Sequence, residues 1–241
     1  MQKKSLNKLS KKSILSMAVT LILIPLTFFL TWFVFGKNYY LSSIIMILLA
    51  MIPFFISFEG RKPDAREIVL IAVLTALAVA SRVAFVAINH FKPMLAIVMI
   101  AGLSFGPHAG FIIGAMSGFV SNFMFGQGPW TPWQMFAYGM AGFIAGIFAQ
   151  KGILDGTKPI PVTIFGGLTI MLIVGPILNT SSVFAMFSIR SLRSIGAVYL
   201  AGLPVDAIHA LAVMVTLFFF SKPMTEKLNR IKRKYGMMEV E

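Results

Sequence analysis

The sequence predicts an all-α polytopic membrane protein, and three observations carry that reading. Of 241 residues, 58% are hydrophobic and only 12% charged, about half of the roughly 25% charge usual in a soluble domain. Mean hydropathy is +0.86, and several apolar runs exceed the ~18–20 residues that cross a bilayer's hydrocarbon core. No run alternates with period two, so the spans are helices rather than barrel strands.

Candidate spans are 13–36, 39–58, 67–88, 94–105, 107–125, 133–150, 160–187 and 196–220. The first follows a basic stretch like the start of a signal peptide, but its apolar run to Phe35 is long and lacks a clear small-residue cleavage site. It is therefore kept as a helix. The charged hinge EGRKPDAR, 59–66, separates two N-terminal spans from six that follow. The expected organisation is a two-helix membrane extension over 1–60 and a six-helix core with a basic cytoplasmic tail over 61–241. The fourth span, MLAIVMIAGLSF, has only twelve residues and stops at Gly106-Pro107, a break signal. Either it crosses where the bilayer is thinned, or it joins 107–125 as one irregular unit.

Between the fifth and sixth spans lies FGQGPWTPWQMF, 125–136. Gly126, Gly128 and Pro129 make a turn. Thr131 is expected as N-cap, with Pro132 at the first helical position and Gln134 reaching back to the cap. Trp130 and Trp133 either anchor in the headgroup layer or rim an external pocket.

Charge sets the topology. With eight crossings, segments 1–12, 59–66, 151–159 and 221–241 share the cytoplasmic side and hold 5, 3, 2 and 6 of the 21 Lys and Arg residues. Seven crossings would put the basic tail outside, against the positive-inside rule. Both termini are thus expected in the cytoplasm. The net charge of +13 belongs to these flanking blocks and does not mark a nucleic-acid face. With no cysteine in the chain, disulfides, thiolate metal sites and cysteine nucleophiles are excluded.

Small residues mark close helix contacts. Ala72, Ala76 and Ala80 form one stripe, suited to packing within the protein or to docking a membrane partner. Gly106, Gly110, Gly114 and Gly118, with Gly139, Gly142 and Gly146 in the next span, read as internal packing. Polar groups within spans weigh more, because a central charge costs about 2.5–3.5 kcal/mol on insertion scales. Arg82 points roughly 120° from the alanine stripe at ~100° per residue. It can face the interior while the alanines face outward, or it can snorkel. Asp206 and His209 share one helix face, as a structural pair or as a substrate or proton contact. Lys92, Asn122, Gln127, Tyr138 and Asn179 are further candidates for the outer half or midplane. No phosphate-binding loop, zinc-protease motif or nucleophile elbow is present, and the scatter of the three histidines argues against a metal triad. No cofactor is expected.

With these features in place, residues 61–224 resemble the substrate-binding S-component of an energy-coupling factor (ECF) transporter, and FGQGPWTPWQMFAYGMAGFIAG is the most specific stretch. The chain looks most like the cobalamin-associated members. The resemblance implies a non-enzymatic subunit of a bacterial cytoplasmic membrane that captures a vitamin outside the cell. It implies docking through Ala72, Ala76 and Ala80 on a transmembrane scaffold subunit that carries two cytoplasmic ATPases, and release by toppling in the membrane. Loops 89–93, 126–133 and 187–196 become the pocket and lid. Arg82, Lys92, Asn122, Gln127, Trp130, Trp133, Tyr138, Asn179, Asp206 and His209 become candidate substrate contacts. A metal cargo is not expected, because no histidine stands near the N-terminus. The alternatives are an intramembrane enzyme using Asp206, His209 and Arg82, or a stand-alone secondary transporter. Both are weakened because Asp206 is the only acid in the interior of a span, and the transporter also lacks an internal repeat.

Overall fold

Lipid offers a backbone no hydrogen-bond partners, so each span must satisfy its own. The computed structural model is helical wherever it has regular structure among the residues it describes, 65–186 and 192–236 with the single positions Leu41 and Ile45. The N-terminal pair expected over 1–60 and part of the last external loop lie outside the described residues.

The described elements are α1 (Ala65–Ala84), α2 (Met94–Phe105), α3 (Pro107–Phe125), α4 (Thr131–Gln150), α5 (Pro159–Thr169), a five-residue π turn (Ile170–Val174), α6 (Gly175–Ala185) and α7 (Leu192–Tyr235). Among the described residues, four continuous helical stretches are long and apolar enough to cross a membrane: Ala65–Ala84, Pro107–Phe125, Pro159–Ala185 and Arg193–Tyr235.

The short α2 is resolved as a separate helix rather than an extension of α3. Eleven of its twelve residues are buried, as expected of a helix that is apolar on every side. It packs against α1, α3, α4 and α7. At 1.5 Å per residue it is about 18 Å long, too short for a ~30 Å hydrocarbon layer. It ends at Gly106, whose φ of 92° is open to glycine and strained for other residues. The chain then folds back, so that Gly110 lies against Gly102.

Glycines set the closest helix contacts. A side chain at Gly102, Gly110 or Gly142 would overlap the facing backbone of α2, α3 or α4, and one at Gly114 would meet the Tyr138 carbonyl. Gly146 packs on Gly106 and Pro107. The glycine ladder is therefore internal packing, as the sequence suggested.

Two boundaries differ from the sequence reading. The span expected over 160–187 contains the π turn, where the Gly175 amide donates to the Ile170 carbonyl five residues back. Pro176 follows and has no amide to donate, which favours such a shift of register. The helix expected to stop near 220 continues to Tyr235. Its hydropathy ends there, but Lys, Glu, Leu and Arg are good helix formers. Leu228 is buried, Thr225 meets Gly156, and Lys232–Lys234 complement the helix C-terminus.

Candidate functional site

α1 divides its two faces cleanly. Leu74, Thr75, Ala78, Val79 and Arg82 are buried, whereas Ala72, Ala76 and Ala80 are exposed beside Val69, Val73 and Leu77. The ~100° periodicity therefore sends Arg82 inward, with only 5% of its surface exposed, rather than out to snorkel.

Inside, Arg82 meets the end of α3. One guanidinium nitrogen donates to Ser121 Oγ and, at 3.1 Å, to Asn122 Oδ1. The guanidinium carbon lies 4.4 Å from the Phe125 ring centroid. Asn122 passes the contact onward, its Nδ2 donating to Thr131 Oγ1 at 3.0 Å and to Gln134 Oε1 at 2.8 Å. Thr131 donates to Gln127 Oε1 at 2.9 Å, and Gln127 Nε2 returns to the Phe119 carbonyl at 2.9 Å. A polar chain thus runs from α1 through α3 into the 126–130 turn.

That chain corrects the expected cap. The helix begins at Thr131, Trp130 occupies the cap position, and no side chain caps it. Thr131 instead accepts the Gly128 amide at 3.2 Å, and Gln134 is used by Asn122. The two tryptophans also part company. Trp130 is 44% exposed, with its ring folded over Gly128. Trp133 has no exposed surface and packs with its ring 5.5 Å from that of Phe184. Its place is in the core, not at the headgroup layer or on a rim.

Beside Arg82 lies a small, partly open cleft lined by Arg82, Lys92, Met94, Leu95, Tyr138, His209 and Val213. Its walls come from α1, α2, α4, α7 and loop 85–93. Lys92 Nζ lies 5.2 Å from the Phe125 ring centroid, the ring that Arg82 also contacts. Burial, and then the neighbouring Arg82 charge, hold the Lys92 ammonium below the usual lysine range. His90, at a positive φ of 59°, brings its ring to 6.0 Å from His209. Arg82 is in the last turn of α1 and Met94 in the first of α2, so the cleft lies towards the end of the bundle away from Lys151, Lys158 and the basic end of α7.

Four expected site residues, Arg82, Lys92, Tyr138 and His209, therefore share one cleft, with Asn122 and Gln127 behind Arg82. Asn179 and Asp206 lie elsewhere. Asn179 Nδ2 donates to Asp206 Oδ2 at 2.8 Å, in a space left by Gly175 and Gly202. Asp206 and His209 thus share a helix face but serve different neighbours. Ser121, Phe125, Met94, Leu95 and Val213 were not anticipated at the site. Only the adjacency of Ser121 and Asn122, one turn before the external loop, hinted at a polar helix end. Among the described residues, no cluster of three or more His, Cys, Asp or Glu could hold a metal.

The fold and site are those of a helical membrane bundle with a partly cationic cleft at its less basic end. Residues 62–226 match the family model of the ECF-type riboflavin transporter S component. The chain belongs to that family. It is a family of transport components and not of enzymes. The family named is a riboflavin one, so the likeness to cobalamin-associated members gains nothing from this match. No solved structure matched the chain.

Proposed function

We propose that this chain is the vitamin-capture subunit of an ECF-type importer in a bacterial cell membrane, and that it binds its ligand in the Arg82–Tyr138–His209 cleft from the extracellular side. The observation that carries this reading is the convergence of four polar side chains from separate elements on one cleft, at the end away from the basic blocks. The positive-inside rule makes that end extracellular. The family name supports a flavin as ligand.

A membrane scaffold carrying two cytoplasmic ATPases would complete the importer. The exposed Ala72–Ala76–Ala80 stripe is the docking face in this reading, because small side chains let another helix approach closely. Toppling to release cargo belongs to the same proposal.

Two experiments test it. Titration of riboflavin and of cobalamin into the purified full chain is expected to show saturable binding of riboflavin. Saturable binding of cobalamin alone would restore the corrinoid assignment. Ala76→Trp is expected to abolish copurification with the scaffold and ATPases, and to abolish uptake, while ligand binding by the isolated chain survives. Normal uptake by that variant would refute the docking face.

A further inference from the structure

The cleft holds two cations and no described acid. Among the described residues the acids are Glu67, Asp155, Asp206 and Glu226. Glu67 is in the first turn of α1 and Arg82 in the last, so they lie at opposite ends of that helix. Asp155 is in the loop after α4 and accepts from Thr157. Glu226 lies in the basic end of α7. Asp206 is occupied by Asn179. None of them lines the cleft.

A structural role for Arg82, tying α1 to α3, accounts for the nitrogen that reaches Ser121 and Asn122. It leaves the guanidinium Nε, buried and without a hydrogen-bond partner, unexplained. It also leaves unexplained a second cation, Lys92, drawn to the same Phe125 ring. His209 Nε2 is likewise buried without a partner. Arginine keeps its charge at any physiological pH. Like charges held together in a poorly solvated cleft raise the energy of the empty protein. Such an arrangement becomes favourable when an anion arrives, because charge-assisted hydrogen bonds to phosphate or carboxylate are about twice as strong as neutral ones.

We propose that the captured form of the ligand carries an anionic group, a phosphate ester or an equivalent acid, seated between Arg82 and Lys92. This rests on the reading of the cleft as the capture site, and it deepens that reading: the preferred ligand is the phosphorylated or acidic form of a vitamin rather than the neutral one. The phosphate of a soluble ester and that of a lipid headgroup offer the same chemistry, and the test separates them.

The test uses the purified full chain in dodecyl maltoside, which contains no phosphorus. Flavin fluorescence gives the affinities of riboflavin and of riboflavin 5′-phosphate. The ester is expected to bind at least about tenfold tighter, and inorganic phosphate is expected to compete with it. Lys92 lies in a loop and makes no hydrogen bond that the fold needs, so Lys92→Gln should leave the protein folded and bring the ratio of the two affinities towards one. Equal or weaker binding of the ester, or a ratio unchanged in Lys92→Gln, would overturn the proposal while leaving vitamin capture intact.

If neither flavin binds, ³¹P line broadening of inorganic phosphate supplies the answer. Broadening by the wild type that is lost in Lys92→Gln supports the anion site while the flavin assignment fails. No broadening overturns the site. Displacement of phosphate by dihexanoyl phosphatidylglycerol but not by riboflavin 5′-phosphate overturns the soluble-ligand assignment.

Discussion

Along the α3–α4 seam, Gly110, Gly114, Gly142 and Gly146 place backbone against backbone with no room for another atom. Near the far end of the same two helices, Asn122 and Tyr138 stand by a cleft where Arg82, Lys92 and His209 keep cationic or unpartnered atoms in a half-enclosed space. The seam has every close approach filled and nothing left to bind. The cleft is the reverse, with polar groups held in place by a hydrogen-bonded chain behind them but not neutralised. In one bundle, close packing fixes the geometry, and incomplete polar satisfaction marks the place where a ligand completes it.

The largest expected effect is in the seam. Gly142→Leu drives a side chain into the Gly110 backbone, and flexible side chains cannot relieve an overlap with main chain. It should give no monodisperse folded protein on size exclusion; wild-type elution and melting would break the account of the seam. Next come the tryptophans. Trp133→Ala removes a fully buried ring and should cost about 3–5 kcal/mol, against less than about 1 kcal/mol for the half-exposed Trp130→Ala. Similar losses in thermal denaturation would erase the distinction between core and surface rings.

Asn122→Ala should cost about 1–3 kcal/mol, since it strips an acceptor from buried Arg82 and a donor from Thr131 and Gln134. It should also weaken ligand binding by loosening Arg82. Unchanged melting would show that the polar chain is not structural.

The smallest effect has the opposite sign. Because Lys92 is held below its usual pKa by burial and then by Arg82, folding disfavours its charged form. Stability linked to Lys92 is present above the unfolded lysine pKa and is lost as pH falls through the lower, folded one. At neutral pH the residue is therefore a small net cost, reduced by its half exposure to solvent. Lys92→Met should raise the melting temperature of the ligand-free protein slightly, with the gain shrinking at alkaline pH. A fall in melting temperature would show that the cleft cations are not in tension.

Much of this architecture was legible from residue order. The bounds of α2 and α3 fall where Pro93 and Gly106-Pro107 put them, because fixed φ and a positive-φ glycine act locally. The opposition of Arg82 to Ala72, Ala76 and Ala80 follows from helical periodicity alone. What was not legible depends on partners distant in the chain. Arg82 and Asn122 are forty residues apart, and nothing in either neighbourhood announces their contact. Thr131 is a plausible cap until Gln127 and Asn122 compete for its hydroxyl. Asp206 and His209 share a face, yet α6 takes one and the cleft takes the other. The continuation of α7 to Tyr235 is not legible from hydropathy, which measures the membrane boundary, whereas helix propensity carries on past it.

The most direct test of the central claim is a riboflavin titration of the purified full chain, wild type beside His209→Leu, followed by flavin fluorescence. His209 lines the cleft without a hydrogen bond to hold the fold together, so its loss should spare melting. The account predicts saturable one-to-one quenching by the wild type and at least about tenfold weaker binding by the variant. Quenching of equal affinity in both proteins, or none in either, would contradict it.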